Sequence, residues 1–284
     1  MIELALLLLL QPVDTFKDKP GPPPPANPFQ DDTGSAYDRY RFGIGPDLGF
    51  WTTQLGGTAR LDGPTSSGTL IDLVHDLNLP ATRGIPIYGG GTLYIPLTME
   101  PRNKTELLLS AEYWSRQWKG SANLSEDVIF GKASFPSGTL VESQFRLASL
   151  DLAASFRFDD ADYSLVGGFS LMLRGTVADL KISGAAASDR QEFGDIFSGY
   201  GLFGEFHPFE FMFVGIDAKW YTAFGDRFDT WMADLRAYAG AEWKFFRLEG
   251  GIRYTPYAES SPDGHSLHYD LYGPYVSLSL FLRF

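Results

Sequence analysis

Period-two alternation of apolar and polar residues runs from about residue 48 to Phe284, and nothing else in the chain constrains its fold as much. It is sharpest over residues 274–284. There Val276, Leu278, Leu280, Leu282 and Phe284 share one parity, while Tyr275, Ser277, Ser279, Phe281 and Arg283 share the other. A period of two places one set on each face of a β-strand.

Earlier segments repeat the pattern. Ala148, Leu150, Leu152, Ala154, Phe156 and Phe158 alternate with Ser149, Asp151, Ser155 and Arg157. Trp231, Leu235, Ala237, Ala239 and Trp243 alternate with Asp234, Arg236, Tyr238, Glu242 and Lys244. In the first strand the apolar parity is read as Trp51, Leu55, Ala59 and Leu61. The opposite faces mix small residues with charges of both signs. Such a face suits a narrow lumen, where glycines relieve crowding and opposite charges pair.

A strand that ends on an aromatic residue resembles the closing strand of bacterial outer-membrane β-barrels, whose assembly machinery reads a terminal aromatic. The resemblance covers barrel architecture over residues 48–284. It implies the bacterial outer membrane as location, and the lipid bilayer, lipopolysaccharide and the barrel-assembly machinery as partners. An open sheet cannot span hydrocarbon, because its edges would find no hydrogen-bond partners, so the sheet must close.

The expected fold is therefore all-β, an antiparallel transmembrane β-barrel of about ten strands, or eight if one weak hairpin is lost. Tight connections near Asp159–Asp160, His207–Pro208 and Phe245–Arg247 alternate with longer loops near 62–84, 123–138, 184–195, 224–229 and 259–270. That is the alternation of periplasmic turns and external loops. Residues 1–12 form a signal-like apolar segment. Residues 13–47 are a Pro-rich linker, since Pro20, Pro22 to Pro25 and Pro28 forbid helix and sheet.

Composition removes other classes. Cysteine is absent, which excludes disulfides, thiolate metal sites and thiol nucleophiles. The net charge of -12 argues against nucleic acid, which selects a basic surface. No apolar run approaches the roughly 18 residues of a spanning helix.

The alternation assigns to the lumen Glu106, Glu112, Arg116, Asp151, Arg157, Arg174, Glu205, Asp217, Lys219, Asp234, Arg236, Glu242, Lys244, Glu249 and Arg253. In so narrow a barrel these read first as a plug of ion pairs, second as the lining of a selective channel. Aromatic residues are expected at the two membrane interfaces. Trp51, Tyr94, Tyr163, Trp243 and Phe284 would mark the periplasmic one, and Tyr113, Trp220, Trp231 and Tyr254 the outer one.

Catalytic chemistry finds little support. His265, Ser266, His268 and Asp270 hold the residue types of a Ser-His-Asp triad on a loop without a rigid frame. Lipid A deacylases carry a His-x-Ser pair late in the barrel, whereas residues 250–260 contain no histidine. Omptin proteases pair acidic residues near the outer rim, whereas Asp31–Asp32 and Asp159–Asp160 fall in the linker and a periplasmic turn. The loop carboxylates Asp72, Asp76, Asp127, Asp189, Glu192, Asp195 and Asp270 match no calcium-loop spacing and read as a hydrated acidic rim. No cofactor, metal or catalytic residue is expected. The leading function is a structural, adhesive or scaffold barrel. A narrow porin for small polar solutes is the alternative, and a lipid-modifying barrel enzyme the third.

Overall fold

The computed structural model describes residues 42–63, 66–79, 87–100, 103–160, 164–209, 211–224, 230–243, 245–261 and 264–284. The signal-like segment and nearly all of the Pro-rich stretch lie outside these residues, as do Tyr163 and Lys244.

Among the described residues fifteen strands follow one another: β1 (Gly43–Trp51), β2 (Gln54–Arg60), β3 (Ile71–Asp72), β4 (Ile87–Glu100), β5 (Asn103–Asn123), β6 (Val128–Phe130), β7 (Ala133–Phe135), β8 (Leu140–Asp159), β9 (Leu165–Ser183), β10 (Ser188–Phe209), β11 (Met212–Ala223), β12 (Trp231–Trp243), β13 (Phe246–Ser260), β14 (Ser266–Leu280) and β15 (Leu282–Arg283). All pairings are antiparallel, and β1 pairs with β4 on one side and with β14 and β15 on the other, so the sheet closes.

The barrel has ten staves, as the alternation predicts. β1 and β2 form the first stave, because both meet the last one in a single register: Ile44 faces Leu282, Phe50 faces Val276 and Arg60 faces Ser266. Prolines account for the interruptions. Thr52 N–H donates to Pro274 O at 2.9 Å, so even-numbered residues of this stave direct their N–H groups at the closing seam. Pro46 lies on that parity and has no N–H, and Pro274 cannot return the bond to Thr52. The strand also begins at Gly43 rather than at 48. The turn-like Gly43 and Gly45 are inward positions that leave room for the Tyr94 ring.

Four hairpins turn at one end, where Glu100 faces Asn103, Asp159 faces Val166, Phe209 faces Met212 and Trp243 faces Phe246, and Phe42 and Phe284 lie at the same end. The connections at the other end are less uniform than expected. Residues 188–195 and 266–270 belong to strands, so those two loops shrink to tight turns. The 124–139 connection holds the small hairpin β6–β7. The four staves β5, β8, β9 and β10 are the longest, with 19 to 22 residues against 12 to 15 in β11 to β14.

Their length reflects a change of environment along the wall. In the lower part the apolar residues point out: Leu150 and Leu152 on β8, Leu171 and Leu173 on β9, Leu202 on β10, Val276 and Leu278 on β14 are all exposed. In the upper part the apolar residues point in: Trp114 and Trp118 on β5, Phe145 and Leu147 on β8, Leu180 and Ile182 on β9, Phe193 and Phe197 on β10, and Leu267, Tyr269, Leu271 and Tyr275 on β14 are buried. The pairing registers of these staves run unbroken through the exchange. Each stave thus moves its apolar residues from one parity to the other at about the same height, without a bulge.

This exchange corrects the reading of the first strand. Trp51, Leu55, Ala59 and Leu61 face inward, and the outward apolar residues are Ile44, Leu48 and Phe50.

Candidate functional site

The lumen is filled in layers. The upper layer is an apolar cap. Residues 66–79 fold back over the barrel mouth and bury Ile71, Leu73, Leu77 and Leu79 completely. It is held by backbone and side-chain bonds: Leu73 N–H to Gly57 O at 3.0 Å, Ser143 Oγ to Leu77 O at 3.0 Å, and Asn78 Nδ2 to Ser121 O at 3.1 Å. Phe130 and Phe135 of the small hairpin, with Trp118, Phe145, Tyr257 and Tyr269 from the wall, complete the cap. Arg116 also faces inward here, its guanidinium carbon 4.8 Å from the Trp118 ring centroid.

Below the cap lies a layer of three arginines and three carboxylates. Asp234, fully buried, accepts from Arg174 Nη2 at 2.9 Å, Arg253 Nε at 3.0 Å and Nη2 at 2.5 Å, and Arg236 Nε at 3.5 Å. Arg174 also binds Asp151 through two nitrogens. Glu112 accepts from Arg253 Nη1 at 2.8 Å and from Arg236 Nη2 at 3.1 Å. Shared partners are the condition under which buried charges are tolerated. Arg253 lies over the Trp51 ring at 4.5 Å and Arg174 over the Tyr221 ring at 4.3 Å, so cation–π contacts join this layer to the aromatic residues above it.

A second charged layer lies nearer the short turns. Glu205 accepts from Arg247 at 2.6 Å, Tyr238 Oη at 3.0 Å and His207 Nε2 at 3.3 Å. Arg247 also reaches Glu249 at 2.9 Å and Glu242 at 3.7 Å. Arg157 binds Asp159 at 2.8 Å and stands 4.0 Å from Glu106, and Lys104 meets Glu106 at 2.9 Å. Between the two layers Lys219 pairs with Asp217 at 3.1 Å, across from Asp234 and Arg236 in register. Cavities of about 210 Å³, beside Asp47, Glu112 and Lys219, and about 180 Å³, beside Tyr94, Arg157 and Phe281, remain among these groups.

Inner-wall glycines make room for aromatic rings on the neighbouring stave. A Cβ at Gly49 would stand 2.1 Å from Tyr88 Cζ, and one at Gly215 2.6 Å from Tyr238 Cε2. The rings therefore lie flat against the wall rather than across the lumen.

Tyr113, Trp220, Trp243 and Phe284 point outward and are exposed, and Trp231 stacks on Trp220 at 5.0 Å. Trp51 and Tyr94 are not at the surface. Trp51 packs edge-on against Trp114 at 5.6 Å, and Tyr94 packs against Phe281 at 5.6 Å on the inner wall. Trp51 faces inward because the apolar parity of its stave exchanges there. Tyr94 faces inward because Gly43 and Gly45 leave it space.

The rim carboxylates hold loop backbone. Asp62 accepts from Gly68 N–H at 2.7 Å, Asp76 from Asp72 N–H at 2.7 Å, Asp127 from Ser137 N–H at 2.7 Å and Asp189 from Lys132 N–H at 2.7 Å. The Gly68 N–H chiefly holds the Asp62 carboxyl below the usual range. At Asp72 partial burial pushes upward, but the N–H groups of His75 and Val74 and the His75 ring outweigh it, and its carboxyl also lies low. His268 and Asp270 project from the outer face of β14, where Asp270 accepts from Tyr254 Oη at 2.9 Å. That pairing draws no triad together among the described residues.

No family model matches the chain, and no curated protein matches it. Its structure is similar to those of the toluene transporter TodX of Pseudomonas putida (TM-score 0.36, 8% identity, 84% of this chain and 89% of that one), of Ail, the attachment invasion locus protein of Yersinia pestis (TM-score 0.33, 10% identity, 85% and 99%), and of a FadL homologue of Pseudomonas aeruginosa (TM-score 0.29, 9% identity, 85% and 90%). The chain resembles bacterial outer-membrane β-barrel proteins. The likeness is one of architecture and names no subfamily.

Sequence reasoning missed Arg247, which bridges Glu205, Glu242 and Glu249, by assigning it to a turn. Its parity with Glu249 and Arg253 was the available signal. It also missed the cap. Leu70, Ile71, Leu73, Leu77 and Leu79 are more apolar than a hydrated loop requires, and that density marks a segment with something to cover.

Proposed function

We propose that this chain is a non-enzymatic outer-membrane barrel whose lumen is closed by ion pairs and an apolar cap, with a structural, adhesive or scaffold role at the cell surface. The exchange of apolar parity supports membrane residence. The lower wall is apolar outside and charged inside, which suits hydrocarbon, and the upper wall is the reverse, which suits water. The outward apolar band spans eleven residues of β5, from Thr105 to Ser115, a height of about 26 Å at the usual strand rise and tilt. The C-terminal strand, with Phe284 at its end, would be the one offered to the barrel-assembly machinery.

The observation that carries the closed-lumen reading is the complete burial of Ile71, Leu73, Leu77 and Leu79 across the mouth, directly above the arginine–carboxylate layer. A solute would have to displace both. Planar-bilayer conductance of refolded protein tests it, with a heat-shift gel on the same sample to establish a folded barrel. A folded, silent barrel is expected, and discrete ion-selective openings would overturn the reading.

Those openings would support the second reading, a narrow porin. The two cavities among the lower charges favour it, because they would be stations on a path once the segment over the mouth moved aside.

A further inference from the structure

We propose that the outer wall of the β5–β8–β9–β10 face carries a binding site for the phosphate groups of an anionic glycolipid, immediately above the apolar band. The inference rests on the outer-membrane reading and adds a site to it. The registers place four outward rows in sequence up this face. Tyr113, Leu150, Gly175 and Ile196 form one row, and Ser115, Ala148, Val177 and Gly194 the next. Then the wall changes character. Gln117, Arg146, Asp179 and Glu192 form the third row, and Lys119, Gln144, Lys181 and Arg190 the fourth.

In a chain of net charge -12, four cations thus project from two adjacent rows of one face. Arg190 is matched by Asp179 at 2.8 Å. Lys119, Arg146 and Lys181 are exposed and make no ion pair with a described residue. Lys119 and Lys181 flank Gln144 across two strand spacings, about 10 Å, and Arg146 sits two residues below it on the same face. This area opens into a groove of about 550 Å³ bordered by Asn78, Lys119, Ser121, Gln144 and Lys181, with Glu142 on the edge farther from the band.

Height selects the ligand. The third and fourth rows stand about 5 and 10 Å above the last apolar row, at the usual rise and tilt, which is the headgroup zone of an adjoining leaflet. Dense anionic charge at that depth belongs to lipid phosphates. Two lysine point charges and an arginine fork, with Gln144 as a neutral donor between them, suit phosphate oxygens. Across the barrel, the outward described residues at the top of β14 are His268 and Asp270 instead.

The test measures binding of purified, refolded protein in detergent micelles to bisphosphorylated lipid A, to its dephosphorylated counterpart, to inorganic phosphate and to a sulfated oligosaccharide. Wild type should bind the bisphosphorylated lipid about tenfold more tightly than the dephosphorylated one, as charge-assisted contacts require. The Lys119→Gln, Arg146→Gln, Lys181→Gln triple variant should lose that difference, and Lys119→Arg with Lys181→Arg should keep it. Equal affinity for the two lipids, or an unchanged triple variant, overturns the site. Inorganic phosphate or the sulfated sugar binding as tightly as lipid A, and lost in the triple variant, overturns the lipid assignment. Heat-shift gels and insertion into vesicles are read on the same samples. A wild type that fails to insert refutes the outer-membrane reading itself, separately from any binding result.

Discussion

Phe42 and Phe284 form the lowest rung of the closing seam. Their backbones exchange two hydrogen bonds, at 3.0 and 3.5 Å, and their rings stack on the outer face at 5.3 Å. The Phe284 ring therefore has a partner within the chain itself. In a double-mutant cycle of Phe42→Ala and Phe284→Ala, urea unfolding from vesicles should give a coupling of about 0.5–1.5 kcal/mol. Additive single effects would remove the pairing from the energetics of closure.

Asp234 is the hub of the arginine layer, and its loss leaves Arg174, Arg236 and Arg253 short of acceptors. Asp234→Asn should destabilise the barrel by about 3–5 kcal/mol, the cost of an uncompensated buried charge. Asp217→Asn, which strips one partner from the less buried Lys219, should cost less. Unfolding midpoints of the two variants, refolded side by side, decide between a hub and a set of equivalent pairs.

The segment over the mouth should control the lumen. Leu73→Ser with Leu77→Ser removes two fully buried anchors of the cap while leaving the wall intact. This variant should show channel openings in a planar bilayer where wild type is silent. Silence in both, with a normal heat shift, would mean that the charged layers alone seal the barrel.

Acid should release the same segment in a defined direction. Because the folded Asp72 carboxyl lies below the ordinary value of 3.8, its contribution is complete at neutral pH and disappears as pH falls from that value through the lower folded one. Pepsin cleavage between residues 66 and 79 should therefore rise as pH drops below about 3.8. Asp72→Asn should be cleaved readily over the whole pepsin range.

Gly49 leaves no room for a side chain beside Tyr88. Gly49→Val should abolish the heat-shifted band, and adding Tyr88→Ala should restore it in part. Failure of the second change to help would assign the defect to strand propensity instead of ring packing.

Much of the lower barrel was legible in sequence because one physical rule governs it. Leu150, Leu152, Leu171 and Val276 must face lipid, and Asp151, Arg174 and Arg236 then fall inside. The upper barrel obeys the opposite rule. Trp51 and Leu55 look like a continuation of a lipid face, but they lie above the line where the apolar side changes, and nothing local marks that line. Only the partners of Trp51, which are Trp114 and Arg253, each two staves away around the wall, reveal it. The cap was hidden for a related reason, since Leu73 and Leu77 carry no alternation and share their buried cluster with residues as far along the chain as Tyr275. Tyr94 was misplaced because its site is defined by absent side chains at Gly43 and Gly45.

The prolines of the seam have a mechanical consequence. Phe42 and Phe284 lie at the same end, so tension drawing them apart would load the ladder one rung at a time, as in opening a zipper. Pro46 is met after Ile44 and Pro274 after Phe50, and at each the wall has one fastening fewer than a full ladder supplies. Force applied there would peel the cylinder into a sheet along this line, while the long staves opposite, joined rung by rung over nearly their whole length, stayed together.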